Sequence, residues 1–103
     1  MKDIEVVRIY LREGDRSGGQ SLMERIFALL HDQHKVQGVT VFRGVSGFGM
    51  QGQTHSADLL HMTAHLPLVI EFFDTAEAVE TALAVLRGLV PAEHIVRWPA
   101  QCL

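Results

Sequence analysis

The sequence predicts an α+β fold of order β-α-β-β-α-β, and three observations carry that prediction. Residues near the start alternate apolar and polar in the manner of a strand. Two later stretches repeat their apolar residues at helical intervals, and a stretch around residue 70 is apolar at nearly every position. With 103 residues there is room for one domain, 1–103, and no second.

From Asp3 to Arg12, Val7, Ile9 and Leu11 alternate with Arg8, Tyr10 and Arg12, which reads as a strand with one buried face. Glu13 to Gly19 is a loop by composition, holding Gly14, Gly18 and Gly19. Ser21 stands three residues before Glu24, the spacing of a capping box, and Leu22, Ile26, Leu29 and Leu30 follow as one helical stripe. Gly38 is placed to end this helix, and Val39 to Val45 forms the second strand. Residues 46–65 carry Gly47, Gly49 and Gly52, three histidines and few large apolar side chains. A long loop with a partly ordered second half is expected there, and loops of that length are usually functional or disordered.

Leu66 to Phe73 suits a central strand. Asp74 and Thr75 open the second helix, with Ala76, Val79, Leu83, Leu86 and Val90 as its buried stripe. Pro91 ends it, and His94 to Trp98 is a short last strand. The order is ferredoxin-like: a four-stranded antiparallel sheet with both helices on one face, since the two crossovers share a hand.

The other face of that sheet would meet water. The first strand offers it Ile4, Val6 and Tyr10, the second Phe42 if Val39, Val41 and Val45 face the helices, and the third Val69 and Phe73 opposite Leu66, Leu68, Ile70 and Phe72. An apolar patch of that extent seldom stays exposed on a monomer. A homo-oligomer joined through its sheets is the expectation.

Composition excludes several classes. Nine Lys and Arg against twelve Asp and Glu give a net charge of −3, so no basic surplus exists for a nucleic-acid backbone. No run of about 18 apolar residues is present, so no membrane span is expected, and a cytoplasmic location is the default. The single Cys102 cannot form an internal disulfide. No enzyme motif pairs a nucleophile with a base: Ser46 precedes Gly47 but lacks the G-x-S-x-G frame.

The chemistry concentrates after the second strand. Gly47, Gly49 and Gly52 satisfy G-x-G-x-x-G, with Asp74 placed 22 residues beyond. Gln53-Thr54-His55-Ser56 is a poor helix opening, so loop glycines serving backbone geometry are the preferred reading. A Gly-rich loop beside Arg43 remains suited to an anion. Six histidines are many for this length. His31 and His34 sit near the end of the first helix, where a cation complements the dipole. His55, His61 and His65 could hold a metal if their stretch were helical, although exposed histidines are the commoner outcome. Glu71 in its apolar strand is either a cleft-facing group or the ion-pair partner of an arginine such as Arg43.

Several motifs in succession match a known family. Arg8-Ile9-Tyr10-Leu11, Val39-Thr40-Val41, Arg43-Gly44, Gly47-Phe48-Gly49, Thr54-His55-Ser56-Ala57 and Leu66-Pro67-Leu68-Val69-Ile70-Glu71 together resemble the PII-like family classed as a domain of unknown function. The resemblance covers nearly the whole chain. Gly47-Phe48-Gly49-Met50-Gln51 is similar, more distantly, to the Gly-Phe-Gly-Arg-Gln opening the T-loop of nitrogen-regulatory PII proteins. Those are trimers that bind adenine nucleotides between subunits and engage partner proteins through the T-loop.

The resemblance implies a homotrimeric signalling protein that senses a small anionic ligand, adenine nucleotides foremost, and meets an unidentified partner protein through loop 46–65. Carried over residue by residue, it nominates Gly47, Gly49 and Gln51 as ligand-facing; with Arg43 and Gly44 beside that loop, His55 within the family motif and Arg97 near the C-terminus, these form the candidate ligand-binding set. The chain also departs from true PII proteins. Leu89-Val90-Pro91-Ala92-Glu93-His94 lacks the Gly and Lys of their second loop, the C-terminal arginines are reduced to Arg97, and the modified loop tyrosine is absent.

Overall fold

The computed structural model describes residues 1–34, 36–48, 54–56 and 66–103. In chain order the elements are β1 (Lys2–Arg12), β2 (Arg16–Ser17), β3 (Gln20–Ser21), α1 (Leu22–Leu29), a π-helical turn (Leu30–His34), β4 (Gly38–Arg43), β5 (Ser46–Phe48) and β6 (Thr54–Ser56). There follow β7 (Pro67–Asp74), α2 (Ala76–Leu86), a 3-10 turn (Ala92–His94) and β8 (Ile95–Cys102). β4, β7, β1 and β8 form, in that order, the four-stranded antiparallel sheet. The ferredoxin-like arrangement is thus present.

The core lies between one face of the sheet and the helices. Val7, Ile9 and Leu11 of β1 and Leu68, Ile70 and Phe72 of β7 meet Leu22, Ile26 and Leu30 from the first helical segment and Val79, Ala82, Leu83 and Leu86 of α2. Period-two alternation in the strands and 3.6-residue spacing in the helices therefore converge on one interior. Ser21 caps α1 by accepting the Glu24 N–H at 3.3 Å, and Thr75 caps α2 by accepting that of Ala78 at 3.2 Å. Asp74 is buried, and its carboxylate accepts the N–H groups of Thr75 (2.7 Å) and Gln37 (3.0 Å). It fastens the start of α2 to the segment before β4. Among the described residues no helix is long and apolar enough to cross a membrane.

Several boundaries differ from expectation, each for a local reason. The loop after β1 contains a hairpin, β2–β3, whose Gly18 and Gly19 both have positive φ (58° and 80°), as a two-residue turn of this hand requires. α1 is shorter than its apolar stripe suggested and passes into the π turn, and Gly38 begins β4 instead of ending a helix. Val45 is 79 % exposed rather than facing the helices, because β4 ends at Arg43. The stretch read as a long loop contains an antiparallel ribbon, with β5 pairing β6 from Ser46↔Ser56 to Phe48↔Thr54. Ala76, in the first turn of α2, is exposed, and Ala82 takes the buried place. β8 runs through Pro99 to Cys102 instead of stopping at Trp98.

The far face of the sheet is as apolar as its sequence implied. Register aligns Phe42, Val69 and Tyr10 across three strands, and Phe73, Val6 and Trp98 likewise. Tyr10, Phe42, Val96 and Trp98 remain exposed, whereas Ile4 is buried. Arg8 crosses the middle of this face: its Nε donates to Glu71 Oε1 at 2.7 Å, and its guanidinium lies 5.9 Å from the Phe42 ring centroid and 5.6 Å from that of Trp98. The bond to Glu71 raises the Arg8 pKa above its usual value.

Candidate ligand site

Three chain segments meet where β1 and β4 end and β7 begins. The Glu13 N–H donates to the Leu66 carbonyl at 2.8 Å, and the Gly44 N–H donates to the Pro67 carbonyl, also at 2.8 Å. Pro67 is held between two glycines. A Cβ on Gly44 would stand 3.1 Å from its Cβ, and one on Gly47 would stand 3.0 Å from its Cγ. These glycines thus allow a close approach to Pro67 that a side chain would crowd, with no positive φ involved. Through the ribbon register, Gly47 also pairs with the His55 backbone.

Arg43 projects from the end of β4, and its Nε lies 3.0 Å from Glu13 Oε1. Arg43 is 66 % exposed, but Glu13 only 21 %. Next to this pair, Asp15 Oδ2 accepts the Arg12 N–H at 3.0 Å, and Asp15 Oδ1 lies 3.6 Å from Arg12 Nε. Both pairs line a cleft of about 380 Å³ with Ser21, Met23, Val41 and Leu68. Its lining combines paired opposite charges with apolar side chains, an arrangement suited to a small polar ligand.

The residues singled out from sequence are distributed unevenly. Arg43, Gly44 and Gly47 come together here, with the His55 backbone alongside. Gly49, Gln51, His61 and His65 lie outside the described residues. Arg97 is elsewhere: it sits on β8, at the opposite edge of the sheet from β4. Its guanidinium holds Glu5 Oε1 at 2.8 and 2.9 Å and Glu80 Oε1 at 2.5 Å. The bond to Arg97 lowers the Glu80 carboxyl, and Arg97 is raised in turn, first by Glu80 and then by Glu5.

Glu71 pairs with Arg8, not Arg43, because those two stand directly opposite in the β1–β7 register. Arg43 stands opposite Leu68 at the end of the sheet and turns to Glu13. Sequence reasoning passed over Glu13, although a carboxylate directly after a strand, in a Gly-rich turn, was the available signal. His31 meets Asp32 at 2.7 Å, and His94 Nδ1 lies 3.1 Å from the Tyr10 carbonyl oxygen, placed to donate to it. Among the described residues no cluster of three His, Cys, Asp or Glu could hold a metal ion.

Known proteins share this architecture. The family model for DUF190, described as "Uncharacterized ACR, COG1993", matches residues 4–102. The UPF0166 protein MJ1524 of Methanocaldococcus jannaschii is 32 % identical over 92 residues, covering 89 % of this chain and 83 % of that protein. CPII from Thiomonas intermedia, solved bound to ADP and bicarbonate, superposes with a TM-score of 0.68 at 21 % identity, over 97 % of this chain and 88 % of its own. The divalent ion tolerance protein CutA1 from Ehrlichia chaffeensis gives 0.60 at 13 %, over 99 % and 83 %. These two likenesses are likenesses of fold. The match across nearly its whole length makes the chain a member of the DUF190 family, built on the fold of PII-like CPII.

Proposed function

We propose that this protein is a PII-like regulatory protein and not an enzyme. It works as a homotrimer joined through the apolar sheet faces and senses a small anionic ligand, an adenine nucleotide above all, in clefts between subunits. The segment 46–65 carries the signal to a partner protein. The observation behind this reading is the meeting of Arg43, Gly44 and Gly47 at one end of a fold shared with CPII, a protein whose solved structure holds ADP and bicarbonate. The position of Arg97 supports the sharing of sites. It lies on the opposite edge strand from Arg43, so the two can serve one ligand only where neighbouring subunits meet.

In this mechanism the anion takes hold of Arg43 and of backbone amides near Gly47, and the adjoining 46–65 segment changes its arrangement in response. That change biases partner binding, as a ligand does when it prefers one of two conformations. Hydrogen exchange with and without ADP, ATP and AMP tests it. Slower exchange between residues 46 and 65 with at least one nucleotide is the expected result. Identical exchange with all of them would end the sensing mechanism.

A second reading draws on the CutA1 likeness, whose protein is named for divalent ion tolerance. It assigns His55, His61 and His65 to a divalent metal. Titration calorimetry with Zn²⁺, Cu²⁺ and Ni²⁺ on wild type and His55→Ala separates the two readings, because equal weak binding by both proteins removes His55 from any metal site.

A further inference from the structure

Arg43 is the cation that the proposed site offers an anion, yet its charge is already answered within the chain. We infer that Glu13 is a built-in competitor for that anion: the ligand binds by taking Arg43 away from Glu13, and Glu13 thereby sets which anions are admitted. The inference rests on the ligand-sensing reading and deepens it at one residue.

Three observations carry it. Glu13 Oε1 lies 3.0 Å from Arg43 Nε, so the carboxylate already takes the Nε–H edge of the guanidinium, and both residues line the cleft. The carboxylate is positioned rather than drifting, since the Glu13 backbone N–H is fixed to the Leu66 carbonyl at 2.8 Å, one residue before the Pro67 that packs on Gly44 and Gly47. It is also the less exposed partner, 21 % against 66 % for Arg43, so the arginine is the member free to swing. The neighbouring Arg12 is matched in the same way by Asp15, so the described residues of the cleft wall carry no net positive charge to attract an anion by field alone.

The chemical consequence is selection by charge. A singly charged carboxylate-like anion would exchange one carboxylate for another at Arg43 and gain little. A diphosphate presents several acceptor oxygens and more charge to the same fork, and so displaces Glu13. The swing of Arg43 would also free Glu13, on the loop leading into the β2–β3 hairpin, and so give that loop a second state tied to occupancy.

The test compares ADP and bicarbonate, each by titration calorimetry, on wild type, Glu13→Gln, Arg43→Gln and the double variant. Glu13→Gln keeps the backbone bond to Leu66 and removes only the competing charge. It is expected to bind ADP about fivefold more tightly than wild type, the scale of one partly exposed ion pair, and to raise bicarbonate binding by a similar factor, so that weak anions excluded from wild type are admitted. In the Arg43→Gln background the same change should have no effect. Wild type that binds ADP while Glu13→Gln binds it no more tightly would overturn this inference and leave the sensing reading standing. Equal tightening with and without Arg43 would also overturn it, since Glu13 would then act by general repulsion. Absence of ADP and bicarbonate binding in all four proteins would overturn both.

Discussion

At Arg97 one side chain ties three elements together: β8 carries it, Glu5 of β1 accepts from it, and Glu80 of α2 accepts again. Because that pairing lowers the Glu80 carboxyl, the stabilisation is present above the ordinary glutamate range of about 4.3 and is lost as pH falls through the lowered folded value. Arg97→Gln should therefore be less stable than wild type at pH 7, and the difference should narrow towards pH 3, as urea denaturation at both pH values would show. The glycines against Pro67 give a second expectation at this scale. Gly44→Ala places a Cβ 3.1 Å from the Pro67 Cβ and should cost about 1–3 kcal/mol in thermal unfolding, with no positive φ to blame. Gly44 and Gly47, nominated from the sequence as ligand-binding, also pack closely on Pro67, which the sequence did not reveal. Packing between segments distant in sequence leaves no mark in local composition, and for the same reason the Arg43–Glu13 pair was not foreseen.

The elements were legible wherever one period ruled. From Val7 to Leu11 β1 alternates cleanly, and there the side buried is the one the alternation named: Val7, Ile9 and Leu11. The Ser21 cap was visible from its spacing to Glu24, and removing it with Ser21→Ala should cost about 1 kcal/mol. Deeper in the same segment, Ile26→Ala empties a fully buried position and should cost about 2–5 kcal/mol, measured by chemical denaturation. Legibility failed where pattern and environment disagree. β5 and β6 are short, polar and glycine-bearing, so nothing in them looks like a strand until each pairs with the other. The last strand is expected to stop at Trp98, but an edge strand tolerates a proline whose missing donor lies on its outer side, and β8 continues through Pro99. The hairpin at Gly18-Gly19 hides in a loop-like composition, although two adjacent glycines between paired residues are a turn signal.

For the molecule as a whole the open sheet face is the outstanding feature. Tyr10, Phe42, Val96 and Trp98 are exposed around an Arg8–Glu71 pair that two of those rings flank. Burying such a surface between copies gains about 25 cal/mol per Å², which outweighs the cost of association only when the area is large and well fitted. Phe42 is 46 % exposed in the single chain, so Phe42→Glu should leave the fold intact and break the assembly, leaving a folded monomer on a sizing column with light scattering. Whether ligand sites are shared between copies of this chain is read in one run by native mass spectrometry of the purified protein with ADP. Shared sites should give a species of three times the 11.5 kDa chain mass carrying bound nucleotide. A monomer that holds no nucleotide would contradict the sharing.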